Sequence, residues 1–436
     1  MGSWMRKGNA IFHGWFIVAA GMIAHALGYG TRYSFSVIFP ALLEEFLWPR
    51  DITAIMFSIH LLVYGLVAPM AGGLVDRLGP RKTITLGTLV LASGLVLSGR
   101  GAEPWHFYAS FGVMSGFGLS LIGSVPFTTV VKNWFERRRG LALSLMFSGT
   151  GGGFACYAAF AFLIKEVGWR TTFVIQAIAL VVIMIPLTIL IVRYHPREKG
   201  LTPDGIVKPG VQSLAISKDA PRIVDETWAA VDWTLSKAAR TGRFWLLCLS
   251  TFSVWGVMMH IVVAHHVAFA MDLGYSGTYA SSVLSLFGVL FACGSLAGII
   301  SDRIGREITM TIATLIGLSG ISILMVMRDA SHPWMLYYYA TTLGLCIGMG
   351  SPTITASITD IFQGPKVGAI IGFIWFSFSI GGFIGPWLGG WIFELTEGYL
   401  LAFLVAIVLN ALGCASIWWA APRNVRLVPG RSRPCC

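Results

Sequence analysis

The sequence predicts an all-α membrane protein of twelve transmembrane helices, arranged as two pseudo-symmetric six-helix bundles. Three observations carry this prediction. First, the 436-residue chain is 56% hydrophobic and only 12% charged, whereas a soluble protein carries about twice that share of charged residues. Second, the apolar residues come in blocks of roughly 20 or more, a length that crosses the hydrocarbon core of a bilayer. Third, the two halves of the chain resemble each other.

Twelve apolar blocks can be marked as spans by their length and hydropathy. A long polar stretch with four prolines separates the sixth from the seventh, and it is typical of a cytoplasmic linker with one amphipathic helix near residues 226–240. We therefore expect a first bundle (residues 1–193), a linker (194–241) and a second bundle with a short basic tail (242–436). The expected spans cover residues 12–43, 50–75, 81–99, 104–131, 140–164, 170–193, 243–270, 278–301, 307–327, 333–359, 367–393 and 399–420.

Lysines and arginines are distributed unevenly around these spans, and the imbalance indicates the orientation. With the N-terminus inside, Arg32 lies within a span, and the outer side receives only Arg50, Arg100, Lys165, Arg170 and Arg328. All the others of the 31 lysines and arginines fall on the cytoplasmic side, as the positive-inside rule requires. The net charge of +11 thus reflects topology, and no nucleic-acid partner is expected. We expect a multi-pass protein of the cell membrane with both termini in the cytoplasm.

A short motif recurs at corresponding positions of the two halves. GGLVDRLGPRK (residues 72–82) and GIISDRIGRE (298–307) share the frame G-x-x-x-D-R-x-G. Each copy falls between the second and third expected spans of its half. Two bundles duplicated in this way can rock about a site that lies between them.

On these features the chain resembles the major facilitator superfamily over essentially its whole length. Four stretches further resemble the branch of monocarboxylate porters and oxalate/formate antiporters, namely HGWFIVAAG (13–21), YGTRYSFSVIFPALLEEFLWPR (29–50), WFERRRGLALSLMFSGTGGG (134–153) and HHVAFAMDLGYS (265–276). The resemblance implies the major facilitator fold and secondary transport. The chain departs from the branch in span 8, because residues 279–300 lack the acidic residue and the arginine that many of these porters carry there.

The resemblance also gives the repeated motif a mechanical role. In the superfamily this motif helps to latch the outward-facing state through its aspartate, the adjacent helix ends and the arginines. The glycine that opens each copy removes a side chain and permits close helix contact. The expected latch residues are Gly72, Asp76, Arg77, Arg81, Gly298, Asp302, Arg303 and Arg306.

Arg32 needs a separate explanation because an arginine keeps its proton inside a protein. Its insertion at the centre of a membrane helix costs about 2.5–3.5 kcal/mol. Three explanations are open: the side chain snorkels to the outer surface, it pairs with a neighbouring helix, or it meets an anionic substrate in a water-filled cavity. The third is favoured because His25, Tyr29, Arg32 and Ser36 follow one helical face.

We therefore expect a site for a small organic anion, a mono- or dicarboxylate, that accepts paired hydrogen bonds from the guanidinium. The candidate proton carriers are His25 and His260, since histidine titrates near neutral pH. Proton symport and anion exchange both stay open. An exporter of neutral or cationic amphiphiles and a transporter-shaped receptor are the alternative functions. The expected binding residues are Arg32, Tyr29, Tyr33, His25, His260, Trp375 and Ser124.

Other classes of site are not indicated. The seven cysteines show no metal-binding spacing, and no pairing of a nucleophile with a base indicates an enzyme. We expect no cofactor and no metal. The expected partners are the carboxylate substrate, protons in the case of symport, and the lipid bilayer around a monomer.

Overall fold

The computed structural model describes residues 12–135, 139–205, 222–364 and 367–428. Arg137, Arg138 and Lys366, which the sequence places in the cytoplasm, lie outside these residues. Within the described part of the chain, eight helices are long and apolar enough to cross a membrane by length and composition. One of them, Leu141–Leu190, contains two spans because the backbone leaves the helical conformation at Gly168 (φ 79°). The eight helices thus account for nine spans, and the helices of spans 1, 3 and 10 bring the total to the twelve that were predicted. This confirms the predicted fold class.

Spans 1 and 4 both depart locally from a regular α-helix. Span 1 is interrupted at Ser34, and span 4 contains a π-helical segment, Tyr108–Ser115, and a break at Gly123. The helices are His13–Tyr33 and Phe35–Phe46 (span 1), Arg50–Leu78 (span 2), Pro80–Ser98 (span 3), Pro104–Phe107, Tyr108–Ser115, Gly116–Ile122 and Ser124–Trp134 (span 4), Arg139–Ala155 (span 5), and Tyr157–Leu190 (the end of span 5 and span 6).

The second set of six spans contains a further π-helical segment, Thr251–Met258, in span 7. The helices are Gly242–Ser250, Thr251–Met258 and Met259–Asp272 (span 7), Gly277–Ala297, Gly298–Ile300 and Ser301–Ile304 (span 8), Arg306–Val326 (span 9), Trp334–Ile361 (span 10), Val367–Thr396 (span 11) and Leu400–Ala420 (span 12). A π-helical turn holds an extra residue and is frequent at functional sites.

The linker packs on the second bundle. The single amphipathic helix expected near residues 226–240 is instead two short helices, because Thr234 caps a new start by accepting a hydrogen bond from the backbone of Lys237. The indole nitrogen of Trp228 donates to the carbonyl of Ile361 at the end of span 10 (2.8 Å). The described short elements are Pro196–Lys199, Pro203–Gly205, Glu226–Ala229, Leu235–Ala238, Pro422–Asn424, and the antiparallel strand pair Arg222–Ile223 and Arg426–Leu427.

The two halves pack closely from the middle of the spans to the end opposite the linker, which we call the outer end. Spans 5 and 8 approach backbone to backbone: a Cβ added to Gly151 would lie 2.6 Å from the carbonyl oxygen of Gly288. Spans 2 and 11 meet at Gly65, where an added Cβ would lie 2.1 Å from the hydroxyl of Ser379.

A charged contact closes the outer end. Arg50, which begins span 2, donates two hydrogen bonds of 2.8 Å to the carboxylate of Asp272, which ends span 7. The same guanidinium donates to the hydroxyl of Tyr399 (2.6 Å), and its carbon lies 3.8 Å from the centroid of the Phe393 ring. We call the Arg50–Asp272 pair the outer gate, since it joins the two halves.

Candidate functional site

Arg32 lies near the end of the first helix of span 1 and is 0% exposed. Its guanidinium carbon is 4.0 Å from the centroid of the Tyr64 ring and 4.9 Å from that of Tyr29, within the range of cation–π attraction. The hydroxyl of Tyr33 lies beside it, outside hydrogen-bond geometry. Among the described residues, its three side-chain nitrogens have no hydrogen-bond partner. The described structure thus holds neither a snorkelling arginine nor a structural ion pair at this position.

Tyr64 is a residue of this site that the sequence analysis missed. It is half-buried in span 2 and reaches the predicted residues of span 1. Its hydroxyl lies 3.1 Å from that of Tyr29 and donates to the hydroxyl of Ser124 (3.4 Å). A polar residue within the apolar sequence of span 2 was the available signal, but its partner could not be inferred without the packing of spans 1 and 2.

Ser124 connects the predicted residues of span 1 to span 4. Its hydroxyl lies 3.3 Å from Nε2 of His25 and 3.2 Å from the hydroxyl of Tyr29. Nδ1 of His25 faces the carbonyl of Gly21 (2.8 Å) and must donate to it, so that Nε2 accepts from Ser124. Ser124 follows the break at Gly123. The structure therefore brings His25, Tyr29 and Ser124 together with Tyr64 on the linker side of Arg32.

The side chain of Tyr33 contacts the second half of the molecule. Its ring stacks on that of His260 at 6.0 Å, and its hydroxyl lies 3.5 Å from Nε2 of His260. Nδ1 of His260 donates to the carbonyl of Gly256 (2.8 Å) in the π-helical segment of span 7, which leaves Nε2 to accept from Tyr33. Ser36 also contacts the second half, because its hydroxyl donates to a backbone carbonyl of span 7 (2.8 Å).

Trp375 lies apart from Arg32 on span 11. It is half-buried and packs edge-on against Trp255 (6.1 Å) and Phe378 (6.2 Å). Phe378 in turn contacts the His260 ring at 5.5 Å. The second half therefore presents an aromatic surface to the site, whereas the first half presents Arg32 and hydroxyl groups. Among the described residues, no group of three His, Cys, Asp or Glu side chains could hold a metal ion.

The two copies of the repeated motif make different contacts. In the second copy, Arg306 pairs with Asp302 (2.7 Å) and with Asp360 of span 10 (2.8 Å). A Cβ added to Gly298 would lie 2.2 Å from Pro352, so this glycine permits the contact of spans 8 and 10. Arg303 is exposed.

The first copy is less tightly held. Asp76 accepts a hydrogen bond from Tyr194 (3.3 Å), and Arg81 donates to the carbonyl of Val192 (2.6 Å). Gly72 has room around it, and Arg77 is exposed. The closing glycine of each copy, Gly79 and Gly305, adopts a positive φ (79° and 108°), which glycine adopts without a steric penalty. The role of these residues as a latch stays a prediction.

The chain is similar to known transporters over almost its whole length. The family model of the Major Facilitator Superfamily matches residues 21–327 and 267–433. The chain is 26% identical to the uncharacterized MFS-type transporter YcxA of Bacillus subtilis (91% of this chain, 93% of the relative) and 26% identical to monocarboxylate transporter 13 of Bos taurus (90% and 86%). Human monocarboxylate transporter 11 is 25% identical (90% and 80%).

A solved structure supports the same fold. A bacterial homologue of the human lysosomal transporter Spinster, in an inward-facing and unoccupied conformation, superposes with a TM-score of 0.70 at 14% identity. The match covers 96% of this chain and 98% of that one. Together with the twelve spans and the family match, this establishes that the chain belongs to the major facilitator superfamily of membrane transporters.

Proposed function

We propose that this protein is a secondary active transporter that moves a small organic anion with one carboxylate across the cell membrane by alternating access. The observation that carries the proposal is Arg32, whose buried guanidinium has neither a hydrogen-bond partner nor an ion-pair partner within the described residues. A buried cation without a partner is unfavourable by several kcal/mol. A carboxylate removes that penalty, because it can accept two parallel hydrogen bonds from one guanidinium.

The charge of the site favours a monocarboxylate over a dicarboxylate. Two other largely buried arginines, Arg50 and Arg306, are already paired, Arg50 with Asp272 and Arg306 with Asp302 and Asp360. A second carboxylate would therefore be buried near Arg32 without a cation of its own, which is costly. The aromatic surface of Trp375 and Phe378 on the opposite half suits an apolar body.

The alternative is an exporter of neutral or cationic amphiphiles. The aromatic residues around His260 would suit such a substrate, but a buried guanidinium repels a cation. Thermal stabilisation of the purified protein separates the two functions. We expect stabilisation by acetate, lactate or benzoate, weaker stabilisation by succinate, and none by tetraphenylphosphonium.

The decisive variant is Arg32→Gln, and Arg100→Gln, at an exposed position in an outer loop, is the matched control. Loss of a charge-assisted contact of about 1.5–3 kcal/mol should weaken carboxylate binding about 10- to 150-fold. Arg32→Gln should also raise the melting temperature of the empty protein, because it removes an uncompensated buried charge. Stabilisation by the lipophilic cation alone, or carboxylate binding that is indifferent to Arg32, would contradict the proposal.

A further inference from the structure

A second unpartnered polar group lies close to Arg32. His60 is 1% exposed in span 2, one helical turn from Tyr64, whose ring contacts the guanidinium. Residues four apart share a helical face, so His60 and Tyr64 lie along one face of span 2, and Arg32 is within electrostatic range of the imidazole. Phe57, one turn from His60 in the other direction, contacts the rings of Tyr33 (5.9 Å) and His260 (5.7 Å).

The tautomer of His60 is fixed by span 4. Its Nδ1 lies 3.0 Å from the carbonyl oxygen of Phe111, which can only accept, so Nδ1 carries the hydrogen. Phe111 lies in the π-helical segment Tyr108–Ser115. In the neutral imidazole, Nε2 is then an unprotonated acceptor. This atom is buried and has no hydrogen-bond partner among the described residues.

The other histidines of the spans do not combine these properties. Nε2 of His25 is engaged by Ser124, and that of His260 by Tyr33. At the outer end, Nε2 of His265 donates to the carbonyl of Pro386. His266 has an unpartnered Nδ1, but its ring stacks on Tyr339 of span 10 at the outer end and its Nε2 donates to Ala280.

We propose that Nε2 of His60 is the proton-binding atom of this transporter, and that it is protonated when the carboxylate binds to Arg32. This inference rests on the proposed function and names its coupling ion. The proton comes from hydronium in the solution on the side to which the site is open: an O–H bond of the hydronium breaks, water is left, and the Nε2–H bond forms. This N–H can donate to the carboxylate.

The surrounding charges explain why the two ligands bind together. The only charged side chain that the described structure places in electrostatic range of His60 is Arg32. The titratable neighbours are Tyr64 on the same face of span 2, Tyr33 on span 1 and, across Phe57, His260 on span 7. In the empty site, Arg32 opposes a second positive charge. The carboxylate balances Arg32 and stabilises an imidazolium, so each ligand raises the affinity for the other.

This arrangement also gives the empty site and the loaded site the same net charge. Empty, the site carries the single positive charge of Arg32. Loaded, it carries Arg32, a protonated His60 and one carboxylate, which again sum to one positive charge. The empty and loaded forms therefore encounter similar electrostatic barriers, and a carrier of this kind can return empty. Without His60 the loaded site is neutral and the empty site charged, which favours obligatory exchange.

The test compares the wild type with His60→Asn, since an asparagine amide can keep the hydrogen bond to Phe111 but cannot take up a proton. His60→Gln is a second variant, in case the first does not fold. The control is His266→Gln, because a glutamine amide can replace Nε2 of His266 as donor to Ala280. Binding of acetate, lactate or benzoate, whichever stabilises the wild type most, is measured in weakly buffered detergent solution with a pH indicator. Transport is measured in proteoliposomes as uptake driven by a pH gradient and as exchange.

For the wild type and His266→Gln we expect uptake of about one proton per bound carboxylate, with affinity falling about 10-fold per pH unit where His60 is neutral. For His60→Asn we expect binding that is independent of pH, retained exchange and no accumulation driven by the pH gradient. Proton uptake that persists in both His60 variants, or carboxylate binding by the wild type without proton uptake, would overturn the assignment while leaving the proposed function intact. A wild type that binds no carboxylate would instead overturn the proposed function, and this inference with it.

Discussion

Breaking the outer gate is expected to shift the balance between the two conformations of the transporter. Arg50 and Asp272 join the start of span 2 to the end of span 7 through two hydrogen bonds of 2.8 Å. Because the pair links the two halves, it exists only while the outer end is closed. Asp272→Asn removes the ion pair in that conformation and leaves the outward-open conformation unchanged, so the change should favour opening towards the outside.

The magnitude follows from geometry and exposure. The Arg50 side chain is 15% exposed and that of Asp272 is 40% exposed, so solvent weakens the pair relative to a fully buried one. Two parallel charge-assisted hydrogen bonds raise its contribution above that of an ordinary surface pair. We expect a contribution of about 1–2 kcal/mol, which corresponds to a shift of roughly 5- to 30-fold in the ratio of the two conformations. Tyr399 and Phe393 still hold the Arg50 side chain in the variant.

Distance measurements between spin labels at the outer end report this ratio directly. Glu44 at the end of span 1 and His332 before span 10 are both exposed, and they lie on opposite halves. Cysteines for labelling are introduced there in a protein from which the native cysteines have been removed. We expect the long-distance population to increase in Asp272→Asn. In the charge-swapped double variant, Arg50→Asp with Asp272→Arg, it should return towards that of the parent.

Two results would refute this reasoning. An unchanged distance distribution in Asp272→Asn would mean that the pair contributes nothing to closure. An increase that persists undiminished in the charge-swapped variant would mean that local packing, and not the ion pair, determines the equilibrium. Labels at Glu44 and Arg100, which are both exposed on the first half, provide the control, since their separation should not depend on the gate.

Two further predictions concern packing and the arginine site. Gly298→Ala should lower the melting temperature by several degrees, because an added Cβ would lie 2.2 Å from Pro352. Gly72→Ala should not, because an added Cβ would lie 3.7 Å from Val125. Equal losses of melting temperature in the two variants, measured by thermal unfolding, would contradict this prediction. Tyr64→Phe should bind carboxylate almost as well as the wild type, because the ring of Tyr64 and not its hydroxyl contacts Arg32. Tyr64→Leu lacks the ring and should bind about 2- to 30-fold more weakly. An equal loss of carboxylate affinity in both variants would show that the hydrogen bonds of the hydroxyl matter more than the ring.

The sequence predicted the fold and singled out Arg32 for one physical reason, namely that the bilayer penalises polar groups. Apolar blocks of membrane length and a charge inside one of them are visible without any knowledge of packing. The tyrosines that surround Arg32 were only partly predictable. Tyr29 and Tyr33 are its neighbours along span 1, but Tyr64 contacts it through the crossing of spans 1 and 2, which the sequence does not specify.

The helical face predicted for span 1 meets both halves of the molecule. His25 and Tyr29 contact Ser124 of the first half, whereas the Ser36 hydroxyl binds to the backbone of span 7. The spacing of these residues predicts a common face, but the elements that pack against each part of that face depend on how the two halves meet.

The two π-helical segments give His60 and His260 a common arrangement that the sequence did not reveal. Each segment supplies a carbonyl that accepts the Nδ1 hydrogen of a histidine, that of Phe111 for His60 and that of Gly256 for His260. Both imidazoles therefore present an unprotonated Nε2. For His260 this atom is taken by Tyr33, in a contact between the halves that must break when they rock apart. For His60 it is free within the described structure. Whether Nε2 of a buried histidine is engaged or without a partner thus depends on packing and backbone hydrogen bonding, which hydrophobic periodicity does not reveal.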